Sequence, residues 1–179
     1  MLFTCEKSRL CVLVCTAVVV GSLFIASKAW AECLLRDDSR FNLLDNSAVV
    51  EDANTGLHWQ RCLVGYRLNT EGDSCALSVN GAVRFDWRGA FTAASNAAGW
   101  RLPNVKELES LVDRNCFEPA VQTHIFPTID DVMMGAHWTS SQIEGYAGGA
   151  WTVNFKTGSV ISSDKSELLP VRLVRDAQQ

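Results

Sequence analysis

Tyr146, Gln142 and Trp138 are the residues of this chain best suited to hold a small polar ligand without a metal. Tyr146 offers a flat face with a polar tip, Gln142 an amide that both donates and accepts, and Trp138 a second, larger face. Ser140 and Ser141 add neutral hydroxyls, and Gly145, Gly148 and Gly149 let the backbone approach a partner closely. All lie in residues 117–149, the longest stretch that reads as irregular, and binding in compact domains concentrates on such loops. That inventory suits a sugar. The competing reading turns Trp138 into the core and uses the two serines to satisfy nearby backbone groups.

Covalent chemistry finds weaker footing. His58 and Cys62 are four apart, which on a strand places them about 13 Å from each other. Cys62 also reads as oxidised rather than as a thiolate. Ser140 and Ser141 follow His137 closely, but no G-x-S-x-G elbow surrounds them. No C-x-x-C occurs and the three histidines are scattered, so no metal and no cofactor are implied. The chain therefore reads as a non-enzyme.

Composition narrows the class further. The chain has 179 residues, 47% apolar and 20% charged, which suits one domain with a targeting segment. Lys7 and Arg9 form a positive n-region, residues 10–26 carry no charge, and Ala29-Trp30-Ala31 is an A-x-A cleavage site. Residues 1–31 thus read as a signal peptide, and no membrane span is expected after cleavage. Removing Lys7, Arg9, Lys28 and Glu6 from 16 basic and 20 acidic residues leaves 13 and 19, a net charge of −6. Such an acidic product makes a poor partner for nucleic acid.

Cleavage also reduces seven cysteines to four: Cys33, Cys62, Cys75 and Cys116. Outside the cytoplasm these read as two disulfides with three possible pairings. Cys62 and Cys75 bracket a short polar loop, so Cys62–Cys75 is the local pairing, leaving Cys33–Cys116 to tie down an N-terminal extension, residues 32–44.

The elements that would position these residues are short. Strands are expected over residues 48–52 and 57–62 around an Asp52–Gly56 turn, over 150–155, 159–162 and 171–174. Asp86 can cap a helix whose apolar side is Trp87, Ala90, Phe91, Ala94 and Ala98, stopped by Gly99. Asn104 with Glu107 three residues later forms a capping box for a second helix facing inward through Val105, Leu108, Leu111 and Val112. Short strands, two helices and an irregular second half spell α+β. Trp59, Trp87, Trp100 and Trp151 read as core, and Arg101 and Arg172 as ion-paired braces.

Several segments then come in a recognisable order: Thr55-Gly56-Leu57-His58-Trp59-Gln60-Arg61-Cys62, Gly99-Trp100-Arg101-Leu102-Pro103-Asn104, Phe126-Pro127, Trp138-Thr139-Ser140-Ser141, Ala150-Trp151-Thr152-Val153-Asn154-Phe155 and Val171-Arg172-Leu173-Val174-Arg175. This series resembles the Lcl C-terminal domain family, an exported bacterial domain named for the end of a collagen-like adhesin, over residues 45–176. The resemblance implies a C-type-lectin-like fold, with the N- and C-terminal strands paired. The adhesin domain binds sulfated host polysaccharides; this chain lacks the collagen-like stalk and is acidic, which argues against a sulfated ligand. The calcium signatures of sugar-binding lectins are missing, and Asp130 and Asp131 read as a capped turn.

The expectation is thus an exported, periplasmic or cell-surface binding or adhesion module with a polysaccharide or cell-surface protein as partner. Its rivals are an accessory or structural subunit of an envelope assembly and a hydrolase.

Overall fold

The computed structural model describes residues 39–78, 83–116, 118–127 and 135–177. Among them are nine strands, all paired antiparallel, and two short helices, so the fold is α+β. The expected signal peptide, and Cys33 with it, lies outside the described residues, as do Asp130 and Asp131.

Four strands make the first sheet: β1 (Phe41–Leu44), β2 (Val49–Asp52), β3 (Leu57–Gln60) and, from the far end of the chain, β9 (Val174–Asp176), in the order β1-β2-β3-β9. Phe41 opposes Asp52, Asp52 opposes Leu57 and Leu57 opposes Asp176, one row across the whole sheet. The turn between β2 and β3 closes where Gly56 takes φ +69°, a left-handed value that suits glycine. β1 falls inside residues 32–44, which sequence reasoning assigns to an extension; its Phe41 ring meets Phe126 edge-on at 5.4 Å and is thereby tied to the core.

The final strand begins three residues later than expected. Residues 171–173 are buried but lie outside the strand, and two of their carbonyls serve other segments: Val171 O accepts from Val64 N and Leu173 O from Gln60 N. The polar stretch after Cys62 is less featureless than a loop. It holds a small hairpin, β4 (Tyr66–Leu68) and β5 (Cys75–Leu77), closed by the Cys62–Cys75 disulfide with its Cα atoms 5.7 Å apart. Cys116 is also disulfide-bonded and buried.

Helix α1 (Trp87–Ser95) starts as the sequence dictates, Asp86 Oδ1 accepting from Gly89 N at 2.6 Å. It turns Ala90 and Ala94 inward, and these small side chains let it lie close to Trp138, Ala150 and Leu173. Phe91, one position beside that stripe, stays 40% exposed. Helix α2 (Val105–Glu109) shows the full capping box of Asn104 and Glu107. Leu108 and Leu111 join Trp59, Phe126, Val153 and Phe155 in the other core cluster.

The second sheet is β6 (Ala136–Ile143), β7 (Tyr146–Asn154) and β8 (Ser159–Asp164), in that order. Its first two strands occupy much of the stretch that sequence reasoning leaves irregular. His137, Trp138 and Thr139 are buried in succession, so β6 has no polar–apolar alternation to read.

Candidate functional site

The turn after β8 meets the first turn of α1 at Lys165. The Trp87 N–H donates to Lys165 O at 3.0 Å, and Lys165 N–H donates to Gly148 O at 2.8 Å. The side chain then doubles back. Lys165 Nζ lies 4.1 Å from the centre of the Trp87 ring and donates to Ala147 O at 2.8 Å and to Gln142 Oε1 at 3.3 Å. One ammonium thus joins α1 to both strands of the β6–β7 hairpin.

Around this junction lies a cleft of ≈ 770 Å³, lined by Asp86, Trp87, Arg88 and Phe91 of the α1 start, by Ala147 and Gly148 of β7, and by Asp164, Lys165 and Ser166. Clefts of this volume hold ligands the size of an oligosaccharide fragment. Trp87 is half-buried, its indole N–H bonded to Thr139 O at 2.9 Å, and Phe91 stands edge-on to it at 4.8 Å. An exposed aromatic backed by a fixed one is a stacking surface. The carboxylates are partly engaged. Asp86 caps the helix, and Asp164 Oδ1 accepts from Ser166 N at 2.9 Å and Ser166 Oγ at 2.7 Å, bonds that lower its pKa.

Of the expected ligand residues, Gln142 and Tyr146 lie outside the cleft lining but each touches a residue of it, Gln142 through Lys165 and Tyr146 through Gly148. Gln142 is exposed and held by Lys165; Tyr146 is 52% exposed and begins β7 across a two-residue turn with Gly145 at φ +75°. The pairing slips between Gln142 opposite Ala150 and Ile143 opposite Tyr146, so residues 147–149 bulge out of the ladder. Two of the three are glycines, and the Tyr146 ring lies on them: a Cβ on Gly149 would stand 2.5 Å from Tyr146 Cδ1, one on Gly148 3.2 Å from its Oη.

Trp138 has to be withdrawn from the site. It is fully buried, with its indole N–H donating to Phe85 O at 2.6 Å and its ring among Ala90, Ala94 and Leu173. Ser141 behaves as structure too: its Oγ accepts from Val105 N at 3.0 Å. Sequence reasoning in turn misses Trp87, Phe91, Arg88 and Lys165 as site residues. Phe91 carries the only available signal, since it widens a stripe that Ala90 and Ala94 already complete.

The remaining candidates for chemistry are committed elsewhere. Cys62 is in its disulfide. His137 is buried with Nδ1 2.8 Å from Gly135 O; burial first, then the nearby Arg172, pushes its pKa down to about 3. Arg172 is not the ion-paired brace the sequence suggests. It is buried, donates to Gln60 O and Arg61 O, and has its pKa lowered to about 9 by burial and by Arg61. Arg61 is likewise buried, donating to the carbonyls of Ser47, Gly72, His124 and Ile125. Arg101 does form ion pairs, with Glu107 at 2.8 Å and Asp176 at 2.9 Å.

Among the described residues no helix is long and apolar enough to cross a membrane, and no group of three or more His, Cys, Asp or Glu is placed to hold a metal ion. The Lcl C-terminal domain model matches residues 48–175, more than half of the chain. A comparison with curated proteins found no match.

Proposed function

This chain belongs to the Lcl C-terminal domain family, and on that premise we propose that it is an exported, non-enzymatic binding module that recognises carbohydrate in the cleft between α1 and the β6–β7 hairpin. The observation that carries this reading is a cleft lined by Phe91, Trp87 and Lys165, with Gln142 held beside it by Lys165 and Tyr146 lying against Gly148 of its wall. Sugar rings stack their C–H faces on aromatics, and their hydroxyls need donors and acceptors side by side. Buried disulfides support an oxidising compartment, periplasm or cell surface. A non-enzymatic role is supported by the structural employment of Cys62, His137 and Ser141. We read the fold as C-type-lectin-like because β9 returns to join the sheet of β1–β3, while the two helices pack against β6 and β7.

A glycan array probed with the purified protein tests the reading. Tyr146→Ala with Gln142→Ala should abolish retention on the best glycan while leaving the melting curve unchanged. Undiminished binding by that folded double variant moves the site elsewhere.

The rival reading is a subunit of an envelope assembly, for which the exposed Leu77 and Leu168 are the residues to substitute first. Co-purification of a stoichiometric partner from the envelope would favour it over the first.

A further inference from the structure

We infer that the cleft selects a sugar ring bearing a single carboxylate, a hexuronate, with Arg88 as the residue that pairs with it; this deepens the carbohydrate reading and rests on it. Two cations line the cleft, and neither has a carboxylate partner among the described residues. Lys165 is satisfied by a carbonyl, an amide oxygen and the Trp87 ring. Arg88 is exposed and makes no side-chain hydrogen bond or ion pair to any described residue. A guanidinium offers donors only, in a planar fork that fits a carboxylate two bonds at a time.

Gln142 tilts the balance the same way. Lys165 can only donate, so its contact with Oε1 fixes the amide orientation and leaves both Nε2 hydrogens for a ligand. Arg88 in the cleft and Gln142 beside it therefore present donors, and the group they await is rich in acceptors. The two carboxylates set the upper limit. Asp86 and Asp164 each use one oxygen in a turn or cap, leaving the other to accept a sugar hydroxyl. Their charges balance Arg88 and Lys165, so the cleft is neutral as a whole. A ring with one carboxylate and several hydroxyls matches this arrangement; a ring with several sulfates meets two fixed negative charges.

The test is titration calorimetry of the purified protein with three tetramers: galacturonate, uncharged galactose and a heavily sulfated sugar of the same length. Galacturonate should bind at least ~10-fold tighter than galactose, the worth of a charge-assisted bidentate contact. Arg88→Gln should remove that difference, weakening galacturonate far more than galactose while leaving the melting curve unchanged, and Arg88→Lys should restore part of it. Equal affinity for the two, equal weakening of both by Arg88→Gln, or tightest binding of the sulfated tetramer would overturn the carboxylate assignment and leave the carbohydrate reading standing. Absence of binding to all three overturns the assignment as well, and a blank glycan array alongside removes the broader reading with it.

Discussion

Lys165 and Trp87 hold each other twice: the Trp87 N–H donates to the Lys165 carbonyl at 3.0 Å, and the Lys165 ammonium rests 4.1 Å from the centre of the Trp87 ring. The backbone bond survives substitution and the side-chain contact does not, which makes the two separable. Lys165→Met should cost the fold only about 1 kcal/mol, the size of a partly exposed cation–π contact. It also frees Gln142 and the Ala147 carbonyl. Glycan affinity should therefore fall several-fold while the melting temperature moves by a few degrees; an unaltered affinity would show that binding does not depend on this junction.

Gly149 supports Tyr146 from below. Its backbone is not left-handed, so Gly149→Ala introduces no φ strain; its new methyl instead lands against Tyr146 Cδ1 and Ile143 Cδ1 at 2.5 Å and 2.8 Å. The ring is the exposed partner and should move. The expected result is a cooperative, near-parental melt with weakened glycan retention. Parental retention would mean that the position of Tyr146 is irrelevant to binding.

Trp138 separates core from site. Trp138→Ala removes a fully buried indole and should cost ~3–5 kcal/mol, enough to unfold a marginal domain. Trp138→Phe should cost about 1 kcal/mol beyond packing changes, because Phe85 O keeps its bond from Leu169 N. The Phe variant should bind glycan as the parent does. A selective loss of binding by that folded variant would return Trp138 to the site.

His137 gives a pH dependence of defined sign. Its pKa falls from the ordinary 6.5 to about 3 in the fold, first because burial disfavours the charged ring and then because Arg172 is near. Between those values the unfolded chain binds a proton that the native state refuses, so stability is lost as pH drops from about 6.5 towards 3. The His137 ring resonances should not titrate between pH 7.5 and 4.5, and His137→Gln should flatten the fall in denaturation midpoint over that range. A ring that titrates near 6.5 in the folded protein would reject this.

How far the sequence reveals these features depends on whether the signal is local. Asp86, Asn104 and Glu107 announce their helices because a cap is settled within four residues, and the structure shows each one in place. Cys62 and Cys75 are legible because a short polar loop leaves little choice of partner. β6 is not, since consecutive burial of His137, Trp138 and Thr139 comes from packing on both faces and imprints no period. The cleft was half visible. Tyr146 and Gln142, beside it, stand out by type, whereas Lys165 and Phe91 meet there only through the contact between the β8 turn and α1, 74 residues apart in the chain. Arg61 and Arg172 show the same limit: charge suggests carboxylate partners, and only the folded backbone supplies carbonyls instead.

The row Phe41–Asp52–Leu57–Asp176 has a topological corollary. The path through the first sheet starts and finishes at the same end of it, three inter-strand steps apart, about 14 Å at the usual spacing. A short peptide spliced between those points would make the described path circular without stretching any strand. New termini opened at the Thr157-Gly158 turn between β7 and β8 would then yield a circular permutant with every strand pairing kept.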